Sequence, residues 1–391
     1  MFNRQNFWEW DEVNDLAEEL EELLDEGKQY LEQNDAASAL ACFEAVAYGI
    51  IENFNDAHTE GQLEDVFSKA VEQMVSAFNK MPCSPEQARG KLEKWVKTAV
   101  DGEYGFEEDL LNAILENLEF KQLGLAEETA ENILKEKSGK QDASECSQLA
   151  EFVSDLQLKQ GKEKEFVKNA EDHFECACEK LVDYYLRKKN YGQAIQTAQK
   201  GLRFAQGFEV SDLKARIAEA QKATGNVEGA FESLLDAFTR DWDLAKYEQM
   251  KALGLKDWAK KRQTVIKRIE NSGRREVLAQ VLAIDEDVKG LEKLLSRLRK
   301  DDDEELRIVE KALRRKAPAS SAKALRLLAV HSLKWTDRNG YRMAADYLGQ
   351  AKKLLLKNNL KKELLDLKQF IQRIRVMNER KPALQDEFKG L

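Results

Sequence analysis

Along most of the chain, apolar residues return every three or four positions, the period of a helix that buries one stripe. Leu63, Phe67, Val71, Met74 and Phe78 form one such stripe, and Ala39, Phe43 and Val46 another. Each stripe stops at a polar break of a few residues, too short for anything but antiparallel neighbouring helices. Two of these hairpins, CEKLVDYYLRKKNYGQAIQTAQKGL at 178–202 and KARIAEAQKATGNVEGAFESLLDAF at 214–238, repeat with an offset of 36 residues. Aligned on the small residue of the second helix, Ala194 meets Ala230, Ile195 meets Phe231, Tyr191 meets Val227 and Gly201 meets Ala237. One hairpin cannot bury its own stripe and needs the next one stacked on it. The pattern predicts an all-α fold, a superhelix (solenoid) of stacked antiparallel helical hairpins.

The same reading extends to both ends. A hairpin is expected at 14–54, with Gly27 and Tyr30 in its first helix, Ala39, Phe43 and Val46 in its second, and Asn34-Asp35 as its break. Phe7, Trp8 and Trp10 precede it and are expected to cap the end of the array. Helices follow at about 59–81, from Pro85 (capped by Ser84) to about 100 with Trp95 in the core, and at about 126–137. The stretch SGKQDASE at 138–145 reads as a linker, dividing an N-terminal region, 1–140, from a C-terminal array, 141–391. Gly161 marks the first break of that array, and Asn339-Gly340 a late one.

Tyr185 in a first helix, Gly225-Asn226 at a turn, and Ala194 and Ala230 opening second helices resemble the tetratricopeptide repeat. That resemblance implies architecture and names no ligand. Residues 90–391 also resemble the helical region that follows the zinc module of bacterial and archaeal SWIM zinc-finger proteins. The segments involved are the Trp258 helix, LAQVLAIDEDVKGLEKLL, a helix with Tyr341, Ala344, Tyr347 and Leu348, and an ending with Arg375, Arg380, Pro382, Ala383 and Leu384. The SWIM module takes its zinc from Cys-x-Cys followed by a distant Cys-x-His. Here Cys176-x-Cys178 is the only Cys-x-Cys, and no Cys follows it. The expectation is the helical part alone, a stand-alone relative or a fragment, without the zinc module.

Composition narrows the class of function. The chain has 391 residues, more than one core usually supports, with 34% charged residues and only four Pro. No apolar run approaches the ~18 residues of a membrane span. The acidic start lacks the basic-then-apolar order of a signal peptide, and five scattered Cys (Cys42, Cys83, Cys146, Cys176, Cys178) fit a reducing, cytoplasmic location. Charge is divided along the chain. Residues 1–250 hold 27 Lys and Arg against 52 Asp and Glu, a balance of −25, and residues 251–391 hold 35 against 20, a balance of +15. Such a chain invites self-association of its acidic front with its basic rear, or separate partners of opposite charge.

Candidate chemistry is thin. His173 and Cys176 fall on one face if the segment is helical, with Cys178 turned away, so two ligands remain and no metal site is expected. Asp285-Glu286-Asp287 and Asp301–Glu305 lack the spacing of a calcium loop and precede amphipathic helices, where carboxylates favour the positive helix end. No phosphate loop, nucleophile elbow or zincin motif occurs. With His58, His173 and His331 the only histidines, neither an enzyme nor a cofactor is expected. Lys260, Lys261, Arg262, Lys267, Arg268, Arg274 and Arg275 are the candidate contacts for an acidic partner or nucleic acid, but Trp258 and Trp335 sit at core-like spacing rather than as stacking platforms. The favoured function is a protein-binding scaffold with a groove lined by first helices. The alternative is a nucleic-acid accessory protein using 251–391.

Overall fold

The computed structural model describes residues 10–54, 61–137 and 143–391. Phe7, Trp8, His58 and most of the expected linker, 138–142, lie outside them, as does the side chain of Trp10. Among the described residues there are 21 α-helices, a 3-10 turn at Phe106–Glu108 and no strand. The chain divides into two compact units, Met1–Ala205 and Gln206–Leu391.

The first unit holds α1 (Trp10–Glu32), α2 (Ala36–Asn53), α3 (Gln62–Lys80), α4 (Pro85–Val100), α5 (Asp109–Asn117), α6 (Phe120–Lys137), α7 (Ala143–Lys159), α8 (Glu163–Asp172), α9 (Phe174–Arg187) and α10 (Tyr191–Gly201). The second holds α11 (Phe208–Ala223), α12 (Val227–Asp241), α13 (Leu244–Lys251), α14 (Trp258–Ser272), α15 (Arg275–Ile284), α16 (Val288–Leu295), α17 (Asp303–Leu313), α18 (Pro318–Ser332), α19 (Arg338–Lys357), α20 (Lys361–Met377) and α21 (Pro382–Glu387). Among the described residues, extensive packing is confined to helices no more than three places apart in sequence, which is the signature of stacked hairpins. α6 and α7, on either side of the boundary expected at 140/141, pack on each other within the first unit.

Six junctions among the described residues use one turn. Asn34, Gly161, Lys189, Gly225, Glu286 and Asn359 all take a left-handed backbone, with φ between 52° and 82°. The N–H of the residue after each reaches back five positions: Asp35 to the Tyr30 carbonyl at 2.9 Å, Asn190 to Tyr185 at 2.8 Å, Asn226 to Gln221 at 2.8 Å, Asp287 to Leu282 at 2.9 Å. The left-handed residue's own N–H reaches back three, as from Lys189 to Leu186 at 2.9 Å. This is the Schellman closure, which satisfies carbonyls left open at a helix end. In four cases the following residue also caps the next helix: Asp35 accepts from the Ser38 N–H, Asn190 from Gln193, Asn226 from Gly229 and Asp287 from Gly290. One residue thereby closes one helix with its backbone N–H and begins the next with its side chain. Gly225 serves this turn and not the packing, since nothing lies within 4 Å of where its Cβ would be.

The small residues of the stripes lie where helices meet. Ala39, Ala194, Ala230 and Ala237 are fully buried and Gly201 is buried. A Cβ on Gly27 would lie 2.3 Å from the ring of Phe43, so only glycine lets α1 approach α2 there. The repeat tyrosines are half-buried: the Tyr30 hydroxyl donates to Glu26, Tyr185 packs edge-on against Tyr184, and Tyr191 opens α10. Trp95 is fully buried, and its Nε1–H donates to Glu44 at 3.2 Å.

Two expectations need correcting. α6 begins at Phe120, six residues before the expected start at 126. A distant side chain from α3 organises that end: Asn79 donates to the Asn117 carbonyl at 2.7 Å and accepts from the Glu119 N–H at 3.0 Å. Trp335, expected in the core, is 46% exposed and packs at a steep angle against the His331 ring. It sits in the loop between α18 and α19, where helical spacing no longer governs burial.

Candidate functional site

α11 is the first helix of its hairpin, and beside it lies a cleft of about 310 Å³. Along α11 the cleft is lined by Asp212, Arg216, Glu219 and Lys222, spaced four, three and three residues apart and therefore on one helix face. Ala215 and Ala218 lie between them and leave room for an incoming chain. The other wall comes from Leu234 of α12, Gln249 of α13 and Leu253 of the loop that follows α13. Acidic and basic groups thus alternate along an apolar floor. Such an arrangement can orient a peptide by charge and hydrogen bonding while taking its apolar side chains.

The wall is held by a buried ion pair. Lys246 on α13 meets Asp241 at the end of α12, and both side chains are under 10% exposed. Burial opposes charge on Asp241, but hydrogen bonds from Lys246 and Ser211 outweigh it and hold the carboxyl below its ordinary range. The Ser211 hydroxyl also reaches the Ala237 carbonyl at 3.2 Å, which ties α11 to α12 at the cleft's end.

The seven basic candidates do not form one surface. Lys261 sits against Glu228 (2.8 Å) and Glu232 (3.1 Å), with its ammonium 4.6 Å from the centre of the Phe231 ring. Arg262 pairs with Asp285, and with Asp287 at 2.8 Å. Arg275 meets Asp302 at 3.3 Å. Lys260, Lys267, Arg268 and Arg274 are exposed and form no ion pair among the described residues. Trp258 is half-buried, edge-on to Phe231 and tilted against Tyr247, so it offers no open stacking face.

The acidic run at 285–287 is a three-way staple. Asp285, buried at the end of α15, receives Arg262 from α14 and, from α13, the Tyr247 hydroxyl and Lys251 (3.0 Å). Glu286 pairs with Lys316, and Asp287 caps α16. Burial again opposes ionisation of Asp285, and hydrogen bonds from Arg262, Tyr247 and Lys251 overcome it, keeping the carboxyl below its ordinary range. The same burial, with Asp285 as hydrogen-bond partner, drives the Tyr247 phenol far up. In the second run, Asp302 stands at the start of α17, yet its carboxylate accepts from the Arg299 N–H (2.7 Å) instead of capping.

His173 lies at the break between α8 and α9 and not on a shared helix face with Cys176. Among the described residues, no group of three or more His, Cys, Asp or Glu is placed to hold a metal, and no helix is long and apolar enough to cross a membrane. The cleft itself escapes sequence reasoning, because Asp212, Arg216, Glu219 and Lys222 read as an ordinary solvated face until Leu234, Gln249 and Leu253 supply its other wall.

No family model and no curated protein matches the chain, and neither comparison links it to the SWIM zinc-finger proteins. Among solved structures, a circular tandem repeat protein with novel repeat topology and enhanced subunit contact surfaces aligns over 97% of this chain and 92% of its own, at 13% identity and a TM-score of 0.21. A likeness at that score carries no argument about fold or function.

Proposed function

We propose that the chain is a non-enzymatic protein-interaction scaffold that receives a peptide or partner helix in the cleft beside α11. The observation that carries this reading is the lining of that cleft: alternating Asp212, Arg216, Glu219 and Lys222 over Leu234 and Leu253, with small residues between. A stacked-hairpin framework supports it, since such folds present rigid concave surfaces built from successive first helices. The test is selection of binding peptides from a displayed library on the full chain. Selected peptides are expected to lose binding to Ala215→Trp, which fills the cleft, and to Arg216→Glu, which inverts its central charge. Peptides that bind both variants as well as the parent place recognition elsewhere.

A further inference from the structure

α20 presents an uncovered seam. Its inner face buries Leu367, Ile371 and Ile374 in the core it shares with α19 and α21, but Leu365 is 57% and Val376 58% exposed on the opposite side. Leu365, Gln369, Gln372 and Val376 are spaced four, three and four residues apart, the alternation of a coiled-coil seam in which 365 and 372 are d positions and 369 and 376 are a positions. The flanking e and g positions are then Asp366, Lys368, Arg373 and Arg375, three cations to one acid. Lys368 and Arg373 are exposed and form no ion pair among the described residues, nor do Lys361 and Lys362 at the near end of the seam. Leu356, near the end of α19, and Met377, at the end of α20, are exposed as well.

We propose that this face docks an acidic amphipathic helix of a partner protein, pairing apolar a and d residues with Leu365 and Val376 and carboxylates at e and g with Lys368 and Arg373. Charge selects the occupant. A second copy of α20 would set Lys368 against a cation in either orientation, Arg373 in parallel and Arg375 in antiparallel packing, the arrangement that e and g positions use to reject a partner. A membrane surface calls for a continuous apolar face, and Gln369 and Gln372 interrupt this one. In a helix pair the two amides have a role, since polar groups in the seam fix register.

The experiment measures binding of the full chain to two synthetic helices, each with Leu and Ile at a and d, one carrying Glu and the other Lys at every e and g. The Glu helix is expected to bind about tenfold or more tightly than the Lys helix at low salt. The pair Lys368→Glu with Arg373→Glu should reverse that order. Leu365→Ser with Val376→Ser should abolish binding of both helices while helix content and unfolding stay unchanged, as befits exposed positions. Equal affinity for both helices overturns the proposal, as does Glu-helix binding that survives the serine pair. So does uptake by phosphatidylserine-containing vesicles, lost in the serine pair, without helix binding. Peptides selected on the α11 cleft should bind the α20 variants unchanged, so failure of one reading leaves the other standing.

Discussion

Asp285 shows how a single carboxylate can carry several helices at once. Its side chain is 7% exposed and gathers groups from α13 and α14 onto the end of α15. Removing one member of a buried pair usually costs about 3–5 kcal/mol. Asp285→Ala is expected to cost less, about 2–3 kcal/mol, because Arg262 keeps Asp287 and some contact with solvent. The carboxyl lies below its ordinary range in the folded chain, so its contribution is complete above the unfolded value near 4 and fades as pH falls through the lowered folded one. Urea unfolding of parent and variant should therefore differ at pH 7 and converge in acid. A constant difference down to about pH 2 would remove the charge from the explanation.

At the scale of the element, the recurrent turn accepts residues that pay for its geometry. A left-handed backbone costs a side-chain-bearing residue roughly 1–2 kcal/mol, part of which glycine returns as unfolded-state entropy. Lys189→Gly is accordingly expected to stabilise the chain by about 0.5–1 kcal/mol. Lys188→Gly, one residue earlier and right-handed, should not. Equal effects at the two positions, read from the urea midpoint, would refute the assignment. The same turn explains what is legible in the sequence. Asn34-Asp35, Gly161 and Gly225-Asn226 announce it because their residue types suit a left-handed backbone or a cap. Lys189 and Glu286 do not, since there the hairpin imposes the conformation. Helix period is equally local, which is why Ala39, Ala194, Ala230 and Phe43 can be read as buried from spacing alone. Asn79 capping a helix start forty residues away, Leu253 lining the cleft beside α11 and Trp335 escaping the core depend on tertiary placement that no local pattern records.

For the whole molecule, the contrast between a −25 front and a +15 rear looks like an invitation to nucleic acid, and the ion pairs reduce its force. Lys261, Arg262 and Arg275 are engaged by carboxylates, leaving Lys260, Lys267, Arg268 and Arg274 from that cluster. Each phosphate contact contributes about 0.9 decades of affinity per decade of salt, so a few scattered cations give weak, salt-sensitive attachment. The full chain is expected to show no sub-micromolar binding to single- or double-stranded nucleic acid at about 0.15 M salt, where charges are screened beyond about 8 Å. Tight binding lost on neutralising those four residues would make the nucleic-acid reading the better account.

Packing restricted to near neighbours in sequence also has a mechanical meaning. When, among the described residues, no helix packs extensively on a remote one, tension on the chain has no single lock to break. It can peel one hairpin while its neighbours hold, and each release frees the length of that hairpin. The 28 residues from the Gly161 turn to the Lys189 turn correspond to roughly 100 Å of extended chain. Pulled from its ends, such a chain is expected to yield in small steps and to recoil one step at a time, as a spring with graded slack and not a brittle link.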